Sequence, residues 1–298
     1  MSEDVLSKLF ATFKVNADIF HNGLYCGNWS IDTSGKHYLS FHLITQGKCY
    51  LMINDNAEQI IVLEQGDLVL FPHDAKHCLS NEPNFESIIN SAQSQPYQPE
   101  VKAGSTGLVC GYFVHQHPLV KKMTEYLPES IVIKQDNTKE STLSSVMKLL
   151  IKESIQSGRG STFILENLSK CVLAMLLREH LSLDKGLFAA LAHNKLNPAI
   201  SAIINQPEHK WSLAKLSELS HMSRSSFSDL FKTVVGVAVM EYVTQWRISV
   251  AYRLIKDEKV STITAAMQVG YDNESSFSKA FKRVLGVTPG SVRNNRQT

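Results

Sequence analysis

From Tyr38 to Leu79 the apolar residues come in short runs: Leu39 to Ile44, Cys49 to Ile53, Ile60 to Leu63 and Leu68 to Phe71. Gly47, the polar Asn54-Asp55-Asn56 and Gly66-Asp67 separate them. Short β-rich runs divided by turn residues at this spacing predict a meander, sandwich or barrel. A polar stretch with Pro96, Pro99 and Gly104 follows, and a further run from Leu108 to Val114 completes the same β unit. After Ser141 the period becomes helical. Leu143, Val146, Met147 and Leu150 fall on one stripe and Ile164, Leu168, Cys171, Val172 and Met175 on another, with a break at Gly158-Arg159-Gly160. Two amphipathic helices, 142–157 and 162–181, are expected; they either cap the β unit or also build a subunit interface. A connector over 182–195 and a helix opened by Asn197 as cap and Pro198 as first residue come next.

The last third repeats itself at an offset of fifty residues. Ser225, Ser226, Phe227, Ser228, Phe231, Lys232, Val234, Gly236 and Val237 recur as Ser275, Ser276, Phe277, Ser278, Phe281, Lys282, Val284, Gly286 and Val287. One supersecondary unit is used twice. Each copy begins with a short apolar helix, carrying Leu213, Ala214, Leu216 and Leu219 or Ile263, Ala266 and Val269. A tight turn follows, through His221-Met222 or Gly270-Tyr271-Asp272, and then a capping residue, Ser223 or Asn273. The second helix has a buried stripe of Phe227, Leu230, Phe231 and Val234, or Phe277, Ala280, Phe281 and Val284. Helix, turn and capped helix form the helix-turn-helix arrangement. Between the copies Met240 to Lys256 lacks Gly and Pro and should be one helix, about 25 Å long. That is a plausible spacer for two reading helices in major grooves about 34 Å apart.

Composition sharpens this picture. With 298 residues, 43% hydrophobic and 19% charged, the chain can bury cores and divides most naturally into two globular domains. The longest apolar run, near Cys171 to Leu177, is flanked by Lys170 and Arg178 and falls short of the roughly 18 to 20 residues of a membrane span. The start, Met1-Ser2-Glu3-Asp4, is acidic where a secretory signal would be basic, which predicts a cytoplasmic chain. Cys26, Cys49, Cys78, Cys110 and Cys171 are odd in number and never form a CxxC pair, so they read as reduced thiols. From Leu196 onward thirteen Lys and Arg face eight Asp and Glu, a net +5, whereas the rest of the chain carries −3. A basic end on a mildly acidic module suits a polyanion partner.

The outward positions of the second helices carry the candidate chemistry. They are Arg224, Ser225, Ser228, Asp229 and Lys232 in the first copy, and Glu274, Ser275, Ser278, Lys279 and Lys282, with Arg283 beside it, in the second. Short hydroxyl side chains can meet base edges while Lys and Arg neutralise phosphates. Arg247 on the spacer helix is either a further phosphate contact or the partner of an acid such as Glu241.

The run from Gly270 through Asn273-Glu274-Ser275-Ser276-Phe277-Ser278-Lys279-Ala280-Phe281 to Gly286-Val287-Thr288-Pro289 and Arg293 resembles the signature of AraC/XylS-type transcription regulators. The resemblance covers about a third of the chain. It implies a fold of α+β multidomain type: an N-terminal cupin-like β-barrel with following helices, and a C-terminal all-α domain of two helix-turn-helix motifs joined by a long helix. The expected division is a sensor and dimerisation domain at 1–181, a linker at 182–195 and a DNA-binding domain at 196–298. By the same resemblance Ser225, Ser228, Asp229, Glu274, Ser275, Ser278 and Lys279 would face bases. Asp229 departs from the basic residue often found there, and Val239 stands where the second copy has Pro289, so the exits of the two copies are open to difference.

The run Gly66-Asp67 to Pro72-His73-Asp74, then His77 and Asn81, resembles the second cupin motif, with Asp74 in place of a glycine. The His-x-His and Glu that complete a cupin enzyme's metal site are missing, because His37 and His42 have the wrong spacing. No metal, cofactor or catalytic residue is therefore expected. His73, His77, His115 and His117 read as structural histidines. Phe41-His42, Gly47-Lys48-Cys49 and Cys110-Gly111-Tyr112-Phe113 are similar to a cupin-bearing branch of these bacterial regulators. Inward side chains such as His42, Cys49, Met52, His77 and Tyr112 would then line an effector pocket, or simply fill the interior. The implied partners are operator DNA, a small-molecule effector, a second copy through helices 142–157 and 162–181, and RNA polymerase, with activation as the family's habit. Two other readings stay open: a metal-dependent cupin enzyme with a DNA-binding tail, and a thiol sensor using Cys49, Cys78 and Cys110.

Overall fold

A computed structural model describes residues 4–56, 58–85, 94–97, 105–114, 117, 120, 124–136, 141–156, 158–179 and 184–294. The chain divides into two compact units. One takes Val15–Val114 and Leu127–His180; the other takes Leu181–Thr298 together with Met1–Lys14 and His115–Tyr126. Two segments from within the span expected for the sensor, 1–181, thus pack with the C-terminal helices.

The first unit is built from antiparallel strands β1 (Asn16–Tyr25), β2 (Ser30–Asp32), β3 (Leu39–Gln46), β4 (Lys48–Ile53), β5 (Ile61–Glu64), β6 (Leu68–Phe71), β7 (His77–Ser80), β8 (Ser94–Gln95), β9 (Thr106–Val114) and β10 (Ile131–Ile133). Among the described residues they lie in two sheets, ordered β10-β6-β3-β9-β1-β8 and β2-β7-β4-β5. Alternation decides the faces. Ile44, Cys49, Leu51, Leu63, Val69, Phe71, Leu79, Leu108 and Cys110 form one core cluster, with residues from both sheets. The opposite face of the six-stranded sheet, with Phe41, Leu43, Leu68, Leu70 and Phe113, meets Met147, Leu150 and Val172 around a cavity of about 10 Å³. These three belong to helices α2 (Thr142–Gln156) and α3 (Ser161–Glu179). Covered on both sides, β3 is buried at every residue from Ser40 to Thr45, the polar Ser40, His42 and Thr45 included. Gly111 in β9 has no room for a side chain: a Cβ would lie 2.7 Å from the Phe41 ring and from the Asp18 carbonyl.

Helix α3 buries a different stripe from the one the sequence suggested. Leu165, Ser169, Val172, Leu173 and Leu176 are buried, while Ile164 and Cys171 are exposed and Leu168 and Met175 are half-buried. Only Val172 belongs to both sets. The helix has apolar residues around more than one face, so periodicity alone could not choose between them.

The second unit is helical. Helix α1 (Val5–Phe13), capped by Asp4, buries Leu9 and Phe13 and packs against α5 (Asn197–Asn205) and α8 (Val239–Lys256). Phe13 meets the rings of His117 and Trp246 edge-on, and His117 Nε2 donates to the Ser249 carbonyl at 3.1 Å. The expected connector is in part a helix, α4 (Gly186–Ala192), whose Leu187, Ala189 and Ala190 are buried. Asn197 is the first residue of α5 rather than its cap, and its side chain donates to the Leu191 carbonyl instead.

Each repeat copy is a pair of capped helices: α6 (Leu213–Leu219) with α7 (Arg224–Val235), and α9 (Thr262–Gln268) with α10 (Glu274–Leu285). Ser212, Ser223, Ser261 and Asn273 each accept the backbone N–H three residues on, which satisfies donors that a helix start leaves free. Gly236 and Gly286 end α7 and α10 in the left-handed region. The next helices begin at equivalent places, α8 at Val239 and α11 at Pro289 (Pro289–Asn294), so the residue difference there does not alter the exit. Phe227, Phe231, Phe277 and Phe281 are fully buried, whereas Ile263 on α9 is 48% exposed.

Candidate nucleic-acid interface and sensor core

The expected reading positions lie on the open sides of α7 and α10. Arg224, Ser225, Asp229 and Lys232 are exposed, as are Glu274, Ser275, Lys279, Lys282 and Arg283; Ser228 and Ser278 are half-buried beside the phenylalanine stripe. Helix geometry explains the separation: Phe227, Phe231 and Val235 are four apart on one face, which leaves the intervening positions to solvent. Both helices have Ser, Lys and a capped, electropositive start facing out. Asp229 and Glu274 are acceptors among them, suited to base amino groups and not to phosphates. Helix α8, with 18 residues, is about 27 Å long and carries one copy at each end.

Arg247 serves the interior of the unit. Its Nε donates to the Pro207 carbonyl at 2.7 Å, Nη2 to His209 at 2.8 Å and Nη1 to Gly270 at 3.2 Å. The Tyr271 ring lies 5.7 Å away. This corrects both expectations for the residue, since the guanidinium contacts backbone carbonyls, and Glu241 instead accepts from Gln245. The carbonyls come from the chain entering the first copy and from the turn of the second, so one side chain ties the two copies together. Gly270, at φ +81°, is required there because a Cβ would strike the Glu208 carbonyl and crowd Arg247.

In the sheet unit the strand register separates the expected pocket residues. His42 on β3 stands beside Cys110 on β9, and Cys49 opposite Leu63; all are fully buried in the inter-sheet interior or facing it. His77 faces the same interior and stacks on Phe71, with ring centroids 3.7 Å apart. Tyr112 is half-buried and stacks on Phe20. Met52 is a correction. It packs with Cys78 and Phe85 in a separate cluster, because adjacent residues of a strand point to opposite faces.

Histidines 42 and 77 meet at their tips. Their Nε2 atoms are 3.0 Å apart, and Thr33 Oγ1 lies 3.1 Å from one and 2.9 Å from the other. His77 Nδ1 bonds the Ala75 carbonyl at 2.7 Å. A carbonyl only accepts, so this nitrogen carries the proton and a neutral His77 turns a bare Nε2 toward His42. Burial holds both imidazoles below their ordinary pKa, with the neighbouring His77 and His21 adding to the effect at His42. Nδ1 of His42 is buried without a hydrogen-bond partner.

Comparison with known proteins places these features. A cupin family model matches residues 4–182, and a helix-turn-helix domain model matches 216–295. A transcriptional regulator of the helix-turn-helix type from Haemophilus influenzae is 28% identical over 98% of this chain and 99% of its own length. The "RCS-specific HTH-type transcriptional activator RclR" of Escherichia coli is 27% identical over 97% of both chains. The chain belongs to the AraC-like transcriptional regulators that carry a cupin domain. Among solved structures, ToxT of Vibrio cholerae bound to an unsaturated fatty acid aligns over 93% of this chain and 94% of its own at 13% identity, with a TM-score of 0.36. As a member of this family the chain is a DNA-binding regulator of transcription.

Among the described residues no three of His, Cys, Asp or Glu gather as a metal site. Two histidines do converge: His42 and His77 are 35 residues apart, lie in different sheets and meet only where the two sheets face each other, which no spacing in the sequence records. Thr33, on the polar loop after β2, carried no signal in the sequence. The three thiols proposed for redox sensing are buried, and burial raises Cys49 to about 12, Cys78 to about 11 and Cys110 well above the ordinary value. Protonated, enclosed thiols are poor nucleophiles.

Proposed function

We propose that this chain is a non-enzymatic, effector-responsive activator that works in the bacterial cytoplasm as a homodimer. The observation that carries the reading is the pair of equally capped, solvent-facing helices on either side of α8. Two such heads on one stiff spacer suit consecutive major grooves on one side of a duplex. Ser225, Ser228, Asp229, Glu274, Ser275, Ser278 and Lys279 are the base-facing set; Arg224, Lys232, Lys282 and Arg283 hold phosphates. The sheet unit is the sensor, with His42, Cys49, His77 and Tyr112 toward the ligand. The E. coli relative is named an activator, which supports positive control through contact with RNA polymerase. Dimerisation falls to α2 and α3, whose Leu149, Ile155, Phe163 and Ile164 are exposed, Phe163 at 70%.

Footprinting on selected genomic sites tests the reading. Protection of two adjacent grooves on one face is expected, and the S275A/K279A double variant should lose sequence preference while keeping its far-UV circular dichroism. Protection of a single groove, or binding indifferent to competitor DNA, would overturn it.

A further inference from the structure

Thr33, His42 and His77 come from three separate stretches of chain: the loop after β2, strand β3 and strand β7. Their tips nevertheless form a nearly equilateral triangle with edges of 3.1, 2.9 and 3.0 Å. An ion about 2.1 Å from each of three atoms so spaced sees them about 90° apart, as one face of an octahedron. We propose that Thr33 Oγ1, His42 Nε2 and His77 Nε2 bind a divalent first-row transition-metal ion.

Three further observations support the assignment. The Ala75 carbonyl fixes His77 in the tautomer whose Nε2 lone pair is free, the arrangement by which proteins orient metal-binding imidazoles. The Phe71 ring, 6° from parallel, holds that imidazole's plane. Asp32 and Asp74 act electrostatically on His77 and supply negative charge that the neutral donors lack. Thr33 is only half-buried, which leaves a way in. Imidazole and hydroxyl ligands without thiolate or carboxylate favour exchangeable binding, and imidazole suits zinc, copper, iron and nickel. The set differs from that of a cupin enzyme in having no acidic ligand and no His-x-His pair. The inference deepens the sensor reading above, on which it rests only for the consequence that the ion is an effector.

The test uses the full chain, stripped with chelator and titrated with Co²⁺, Zn²⁺ or Cu²⁺ alone, without DNA. One ion per chain is expected, with Cu²⁺ paramagnetic resonance showing coupling to two imidazole nitrogens and Co²⁺ showing no thiolate charge-transfer band. H42Q and H77Q should each weaken binding about tenfold or more. T33V should weaken it, T33S should restore it, and H37N, at an exposed histidine, should leave it unchanged. Less than one ion per chain, a copper spectrum without two coupled nitrogens, or full affinity in H42Q or H77Q would overturn the site. If neither histidine variant folds, the wild-type spectrum and the T33V and T33S pair decide the matter. Loss of operator binding by a chain that still holds its ion would count against the regulator reading and leave the metal site standing.

Discussion

Arg247 would serve equally well as a phosphate contact if only charge mattered, and its geometry separates the two roles. Three carbonyls from two stretches of chain need a planar fork of donors, which Lys does not have. R247K is therefore expected to destabilise the helical unit nearly as much as R247A, by about 2 to 4 kcal/mol in denaturant unfolding. A phosphate contact would predict the reverse, with R247K close to wild type. The buried histidines make a second prediction at this scale. His42 faces His77 and feels His21, and His77 also feels Asp32 and Asp74, with burial dominating and lowering both. The unfolded chain takes up protons first as pH falls through the ordinary histidine value near 6.5, so the stability these groups confer is present above that value and lost below it. Urea unfolding of the metal-free sheet unit should shift to lower midpoints between about pH 7 and about pH 5, and less so in H42Q. A flat profile would mean the native imidazoles titrate normally.

At the level of elements, the two copies use one design with different chemistry at the caps. Ser223 and Asn273 accept the N–H groups of Ser226 and Ser276. S223A and N273A should each cost about 1 kcal/mol and fray the start of a reading helix. Amide exchange at Ser226 and Ser276 would report this directly; unchanged protection would show the caps to be redundant. These caps and the phenylalanine stripes were legible because local chemistry sets them. Helix α3 was not: with apolar residues on several faces, its buried side depends on where the six-stranded sheet lies. Helix α4 was hidden for a related reason. Its seven residues, Gly186 to Ala192, are too few to show a period, and packing against α5 and α7 provides the stability that an isolated segment of that length lacks.

For the molecule as a whole, the proposed dimer takes its interface from the outward face of α2 and α3. Phe163 and Ile164 are exposed at the start of α3, and Leu149 and Ile155 on α2. Sedimentation of the full chain should show a dimer, and F163E a monomer with an unchanged melting profile. A wild-type monomer at micromolar concentration would remove this face from the dimer proposal.

Repetition and short-range pattern were enough to establish a β-rich half, a doubled helix-turn-helix and the outward residues of its second helices, because caps, turns and the buried stripe of a short helix depend on neighbours within a few positions. Folding in three dimensions decided what depends on distant partners. It brought Thr33 to His42 and His77, turned Met52 away from them, drew Arg247 into the interior and packed α1 against the C-terminal helices. Sheet register and helix packing join residues tens or hundreds of positions apart, and no local period in the chain records which of them will meet.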